Sequence, residues 1–216
     1  MKTTTRLSVL AALALATAAC SSHSHPPPPP PVMVPPEIDL KAHEVIGVIT
    51  FDSEGKDALG PMATKKFTEM ARRDQGLVRI VPLGSRSDVL RSLGAKTLDP
   101  AALQAVGQKR GVQTILVGTV KLDNVKPSVR VATDLRAAGM TAHVRATLDV
   151  QMVETASGAS LWNSTASATR DLGDVAVVGG QGLTFGHDDP ERAYGDLMDN
   201  LVEQTTRPFR ARWERR

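Results

Sequence analysis

Cysteine and aromatic residues are scarce in this 216-residue chain. Cys20 is the single cysteine, and there are two Trp, one Tyr and four Phe. One thiol rules out an intrachain disulfide, a thiolate metal cluster and a dithiol redox pair. The fold must therefore stand on a hydrophobic core built from Val, Leu, Ile, Ala and Met. A strong charge of either sign is also missing: 26 Lys and Arg face 23 Asp and Glu, a formal net charge of +3. Such a balance gives little reason to expect a polyanion, and no nucleic-acid partner is expected. Catalytic signatures are absent as well. There is no Gly-x-Ser-x-Gly elbow, no P-loop and no dinucleotide glycine fingerprint. The expectation is a non-enzyme with no catalytic residue, no cofactor and no metal site.

The remaining short motifs have plain structural readings. Gly179-Gly180-Gln181-Gly182 lacks a strand-to-helix junction and reads as a loop. His187-Asp188-Asp189 stands just before Pro190, so Asp188 or Asp189 reads as a helix N-cap rather than a metal ligand. His43 and His143 have no acidic or histidine partner at metal-ligand spacing. His23 and His25 form an incidental pair in a linker. Asn163-Ser164-Thr165 matches a glycosylation sequon by chance.

What is present begins at the N-terminus. Lys2 and Arg6 give a positive segment, Leu7 to Ala19 a short apolar run, and Thr17-Ala18-Ala19-Cys20 ends it with small residues before a cysteine. That is the layout of a secretory signal peptide over 1–19, too short for a spanning helix, which needs about 20 apolar residues. A cysteine directly after small residues resembles the lipobox of bacterial lipoproteins. It implies that Cys20 is lipidated, that the chain is anchored to a membrane through it, and that no free thiol remains. Ser21 and Ser22 follow without an aspartate, which by resemblance to enterobacterial sorting implies the periplasmic face of the outer membrane.

Residues 20–42 read as the lipidated cysteine and a tether. Pro26 to Pro31 are consecutive and Pro35-Pro36 follow. Proline fixes φ and lacks a donor, so polyproline II is expected, reaching at most roughly 70 Å at about 3.1 Å per residue. The folded domain is expected over 43–207, beginning near Glu44. Residues 208–216 read as a basic tail: with Arg207, the residues Arg210, Arg212, Arg215 and Arg216 suit a solvated, frayed helix end.

Within the domain the pattern first alternates strand and helix. Val45 to Ile49 is a continuous apolar run, expected as a strand buried on both faces. A helix is expected from about Gly60 to Arg73, with Leu59, Ala63, Phe67 and Met70 on its inner face. Val78 to Leu83 is the next strand. Ser85 with Asp88 predicts the start of a short helix carrying Val89, Leu90 and Leu93. Asp99-Pro100 opens another helix, with Leu103 and Val106 inward and Gly111 ending it. Val112 to Val120 is a third buried strand. The period then changes to two: Val129–Leu135 and Ala142–Val153 alternate, as strands with one buried face do. Ala156-Ser157-Gly158 is a turn, and Leu161 to Thr169 returns with Trp162 on the core. A last helix is expected from Pro190 to Thr206, with Ala193, Leu197, Leu201 and Val202 inward.

The order of these pieces resembles a known group. Phe51-Asp52 ends the first strand. Leu77 to Val81 and Val89-Leu90 follow, Ala105-Val106-Gly107 precedes Gly111 to Val120, and Leu148 to Val153 leads through Ser157-Gly158 to Ser160-Leu161-Trp162. Over about 44–170 this resembles the periplasmic domain shared by the curli-secretion lipoprotein, the amino-terminal domain of the Tol-Pal translocation protein, and lipoprotein activators of penicillin-binding proteins. The resemblance implies an α/β (α+β) fold, a mixed β-sheet flanked by helices, of the anticodon-binding-like periplasmic type. It also implies a non-enzymatic adaptor or regulator of an envelope protein such as a peptidoglycan synthase. A component of an outer-membrane secretion assembly and a peptidoglycan-acting enzyme are the alternatives. Expected partners are the membrane, an envelope protein and, in a homo-oligomer, the chain itself. Val177, Val178 and Phe185, apolar residues in the glycine-rich stretch 172–189, are the expected partner contacts.

Overall fold

The computed structural model describes residues 30–123, 126–131, 138–172, 176–177, 183–184 and 190–215. In chain order the elements are β1 (Val32–Val34), β2 (Ile46–Thr50), β3 (Asp52–Glu54), α1 (Leu59–Gln75), β4 (Ile80–Ser85), α2 (Arg86–Leu93), α3 (Pro100–Arg110), β5 (Thr114–Leu122), β6 (Lys126–Val131), β7 (Ala138–Glu154), β8 (Ser160–Leu172), β9 (Ala176–Val177), β10 (Leu183–Thr184), α4 (Pro190–Thr206) and β11 (Arg212–Glu214). Contacts divide the chain into a large unit, Val34–Arg212, and a small one that includes Val32, Met33 and Trp213. β1 and β11 form a two-stranded sheet of their own, on which Val32, Met33 and Trp213 are exposed.

The large unit is built on a seven-stranded mixed sheet. β2 lies parallel between β4 and β5, and β3 prolongs its line beside β5. β7 runs antiparallel to β5, β6 and β8. Its 138–143 portion pairs with β6 and its 146–154 portion with β5, while β8 takes the opposite side. β4 lies at one margin of the sheet and β8 at the other, while β3 and β6, in line with β2 and β5, are each paired on one side only; the described strands close no barrel. This is the mixed sheet flanked by helices that the sequence implies.

Helices cover both faces because the strands alternate. Val48, Leu116, Leu148 and Met152 point into the larger core, with Leu59, Ala63 and Phe67 of α1 and Leu197, Met198, Leu201 and Val202 of α4. Their neighbours Ile49, Ile115 and Val153 point the other way, onto Val89 of α2 and Leu103 and Val106 of α3. β2 is buried on both faces, as its unbroken apolar run predicts. Four of the scarce aromatics form one contiguous cluster. Phe51 meets Phe67 edge-on at 5.5 Å, Phe67 meets Phe209 at 5.9 Å, and Trp162 tilts onto Phe209 at 5.0 Å. Each such pair adds about 0.5–1.5 kcal/mol beyond its burial.

Helix signals in the sequence match the caps observed. Ser85 Oγ accepts from the Asp88 amide at 3.1 Å and donates to Asp88 Oδ2 at 2.6 Å. That hydroxyl is the main cause holding the Asp88 carboxyl below its ordinary pKa, with Arg91 adding to it. Asp99 accepts from the Ala102 amide ahead of Pro100, and Gly111 closes α3 at φ 63°. α1 approaches the sheet closely at Gly60, where a Cβ would sit 2.0 Å from the Phe51 carbonyl oxygen. Only glycine allows that contact.

Several boundaries differ from the sequence reading. α1 runs from Leu59 to Gln75, longer than the Gly60–Arg73 expected, because Gln75 is held at its end by tertiary hydrogen bonds. The second strand starts at Ile80 rather than Val78. β6 spans Lys126–Val131, so only Val129 to Val131 of the expected Val129–Leu135 strand fall in it, and residues 132–135 lie outside the described residues. β7 extends from Ala138 to Glu154, beyond Ala142–Val153. The fold also begins earlier than Glu44: Leu40 is completely buried in the large core. Nor is the stretch after Arg207 wholly a solvated end, since Phe209 is completely buried too.

Candidate interaction surface

Three parts of the large unit offer polar groups at its surface: the point where the segment before Leu40 joins it, one polar face of the sheet, and the sheet edges at β4 and β8. The first is a clasp around Gln75. Its Oε1 accepts from the Leu40 amide at 3.0 Å, and its Nε2 lies 2.7 Å from the carbonyls of both Ile38 and Phe209. The Ile38 amide donates to the Pro208 carbonyl at 3.1 Å. Gln75 is 5 % exposed, so these bonds satisfy a buried amide that would otherwise be costly. Arg210 completes the clasp with ion pairs to Asp74 at 2.5 Å and Glu203 at 3.2 Å. Burial alone would lower the Arg210 pKa, but the hydrogen bonds to Asp74 and Glu203 outweigh it and hold it above its ordinary value.

The second part is the sheet face beyond the reach of α2 and α3. Here the period-two alternation brings Thr119, Asp149, Gln151, Asn163 and Thr165 side by side over β5, β7 and β8. They line an open concavity of about 490 Å³, with Arg86 at its rim. Arg86 pairs with Asp52 at 2.5 Å, and Thr165 Oγ1 donates to Asp149 Oδ1 at 2.6 Å. This set offers hydrogen bonds but no nucleophile–base pair, and no metal-capable cluster occurs among the described residues.

The edges differ. At β4 the Ile46 amide bonds the Arg79 carbonyl, so Ile80 turns its own carbonyl outward, where Arg72 Nη2 covers it at 3.2 Å. Pro82 has no N–H to offer, and a bulge at Leu83 is relieved by Gly84 at φ 92°. Proline, bulges and covered carbonyls are how sheets blunt an edge. At β8 the geometry is the reverse. The Asp123 amide bonds the Arg145 carbonyl and the Thr155 amide bonds Gln113, turning the odd-numbered residues of β7 to β5. The Glu154 amide bonds Ala159, turning the even-numbered ones to β8. Trp162, Ser164, Ala166 and Ala168 therefore bond β7, and Asn163, Thr165, Ser167 and Thr169 carry their N–H and C=O groups outward, while Leu161 is the extra residue at the register shift beside Met152 and Val153. Among the described residues nothing pairs with them. Leu161 to Thr169 contains neither charge nor proline. Nothing in the sequence alone marked this strand as an edge; only the strand order does.

Of the residues singled out from sequence, Cys20, Val178 and Phe185 lie outside the described residues, as do His23, His25, Gly179 to Gly182 and His187 to Asp189. Val177 belongs to the two-residue strand β9, opposite Leu183 of β10. His43 turns its Nδ1 to Thr114 Oγ1 at 3.1 Å, a structural hydrogen bond.

No protein-family profile and no curated protein matches this chain. Solved structures to which this chain is similar include the PelC dodecamer from Paraburkholderia phytofirmans, at 14 % identity and TM-score 0.41, covering 84 % of this chain and 97 % of that one. Lipoprotein GNA1162 from Neisseria meningitidis follows at 14 % identity and TM-score 0.38, covering 74 % and 96 %. The LpoB C-terminal domain from Salmonella enterica has 14 % identity and TM-score 0.36, covering 62 % and 84 %. At values this low the likenesses assign neither a family nor an activity.

Proposed function

We propose that this protein is a lipid-anchored, non-enzymatic adaptor of the bacterial envelope. Cys20 fixes it to the periplasmic face of the outer membrane, the proline-rich segment sets its reach, and the folded domain binds an envelope protein such as a peptidoglycan synthase. Val177, Val178 and Phe185 are the contact side chains of this reading. The observation that carries it is the clasp. An adaptor on a tether works when its anchor is tied into the fold, and here Ile38 and Leu40 are bonded to the end of α1 through Gln75. A lipid-modified cysteine with several acyl chains supplies about 0.8 kcal/mol per buried CH₂, enough for stable anchoring.

The test compares the full chain with Cys20→Ser by fractionation and by affinity capture from envelope extracts. The variant is expected to leave the membrane fraction and to lose acylation, and its captured partner set is expected to shrink. Val177→Ser, Val178→Ser and Phe185→Ser together are expected to reduce capture by the anchored protein. Equal membrane association of Cys20→Ser and parent would overturn the anchor, and undiminished capture by the serine variant would overturn the contact.

A further inference from the structure

We infer that the open edge of β8 is a self-pairing site, at which two copies of this chain join their sheets about a two-fold axis. The inference goes beyond the adaptor reading and does not depend on it. An edge strand with free donors and acceptors is satisfied by another extended strand. The question is which strand, and the sequence of β8 answers it. The outward groups belong to Asn163, Thr165, Ser167 and Thr169, and Asn163 and Ser167 stand evenly on either side of Thr165. Antiparallel pairing of β8 with itself, Thr165 facing Thr165 of the second copy, places Asn163 opposite Ser167 and leaves Thr169 facing Leu161 at the register shift. Both copies then exchange N–H···O=C bonds from Asn163 to Ser167.

Side-chain size fits the same register. On the face toward α4, Trp162 meets Ala168 of the second copy and Ser164 meets Ala166. On the other face Leu161 meets Thr169 and Asn163 meets Ser167. No two bulky side chains oppose one another, and hydroxyl and amide pairs of this kind favour cross-strand contact. Charge fits as well. With no ionic group from Leu161 to Thr169, the two-fold brings no like charges face to face. The first charged residue, Arg170, falls opposite Ser160 and is held by Asp196 of its own chain at 2.5 Å. A stranger's strand would need none of this self-complementarity. An edge kept monomeric would carry a device of the kind seen at Pro82 on β4, and none is present in this stretch.

Sedimentation of the full chain in detergent over a range of concentrations tests the inference. The parent is expected as a dimer in exchange with monomer. Thr165→Pro removes one outward N–H per copy and leaves the β7 ladder intact, so it should weaken the dimer about thirtyfold, two symmetric donors being lost at once. Thr165→Val loses the hydroxyl bond to Asp149 but keeps the N–H, and should stay dimeric. Register is read by cross-linking in a Cys20→Ser background, where the introduced thiol is the only one. Thr165→Cys should form a covalent dimer on oxidation, and Leu161→Cys, far from its own mate in this register, should not. A parent that is monomeric throughout, a Thr165→Pro variant that associates as the parent does, or cross-linking through Leu161 instead of Thr165 would each overturn the inference. The cross-links report association of the domain whether or not Cys20 anchors it, so failure of the anchor leaves this result readable.

Discussion

The two edges of the central sheet are built on opposite plans. β4 is short, bulged at Leu83, broken by Pro82 and covered at Ile80 by Arg72. β8 is 13 residues long, continuous beside β7 apart from one register shift, and bare of charge over Leu161–Thr169. An unguarded edge is a hazard in a protein that must remain soluble, and natural sheets suppress it readily. That one edge is defended several times over and the other not at all shows that protection is placed strand by strand. An edge without it is one the protein can use.

The sharpest way to break the comparison is a proline moved by one residue. Ala166→Pro strikes a group that bonds β7 and should cost about 3 kcal/mol or more in chemical denaturation, through a lost ladder bond, an orphaned buried carbonyl and ring clashes. Thr165→Pro, its neighbour with an outward N–H, should cost less than about 1 kcal/mol. Comparable losses at both positions would mean that the β8 edge is not free. On the opposite edge, Gly84→Ala forces a side chain to φ 92° and should cost about 1–2 kcal/mol, read from the urea midpoint. Pro82→Val should leave stability within about 0.5 kcal/mol while restoring a donor to β4. Its expected signature is new association at high protein concentration, measured by light scattering.

The smallest effect concerns the cap that ends β4. The folded pKa of Asp88 lies below its unfolded value of 3.8. Its contribution to stability is therefore present above 3.8 and is lost as pH falls through the lower folded value. Asp88→Asn should remove that small acid-dependent component, and superimposable acid-denaturation curves for parent and variant would show that the cap does not titrate with folding.

Much of the architecture is legible in the chain because the signals are local. Val45 to Ile49, the Ser85 and Asp99 caps, Gly111 and the Pro190–Thr206 period each report their element from a few adjacent residues. What escaped is long-range. Leu40 follows prolines with only Ile38 as an apolar neighbour between them, and nothing near it foretells that Gln75 and Phe209 will enclose it. Arg210 reads as one of a row of arginines until the fold sets Asp74 and Glu203 beside it. The β8 edge escaped for the same reason. A Ser-, Thr- and Ala-rich strand looks alike at the centre of a sheet and at its margin, and only the order of pairing separates the two. Val177, Val178 and Phe185 stand out in the sequence only by apolarity among glycines, a signal that does not specify geometry.

The clasp has a mechanical consequence. A pull on the segment before Ile38 would meet the bonds of Ile38 and Leu40, which run to Gln75 at the end of α1 and to the Pro208 carbonyl and not to a strand of the seven-stranded sheet. Load is thus delivered to α1, which lies along the aromatic cluster through Phe67, while the sheet carrying both edges is spared direct tension. Force entering at Ile38 and Leu40 would act on the side-chain bonds of Gln75 before it acted on any strand of the large sheet, so the register of β4 and β8 would be insulated from it.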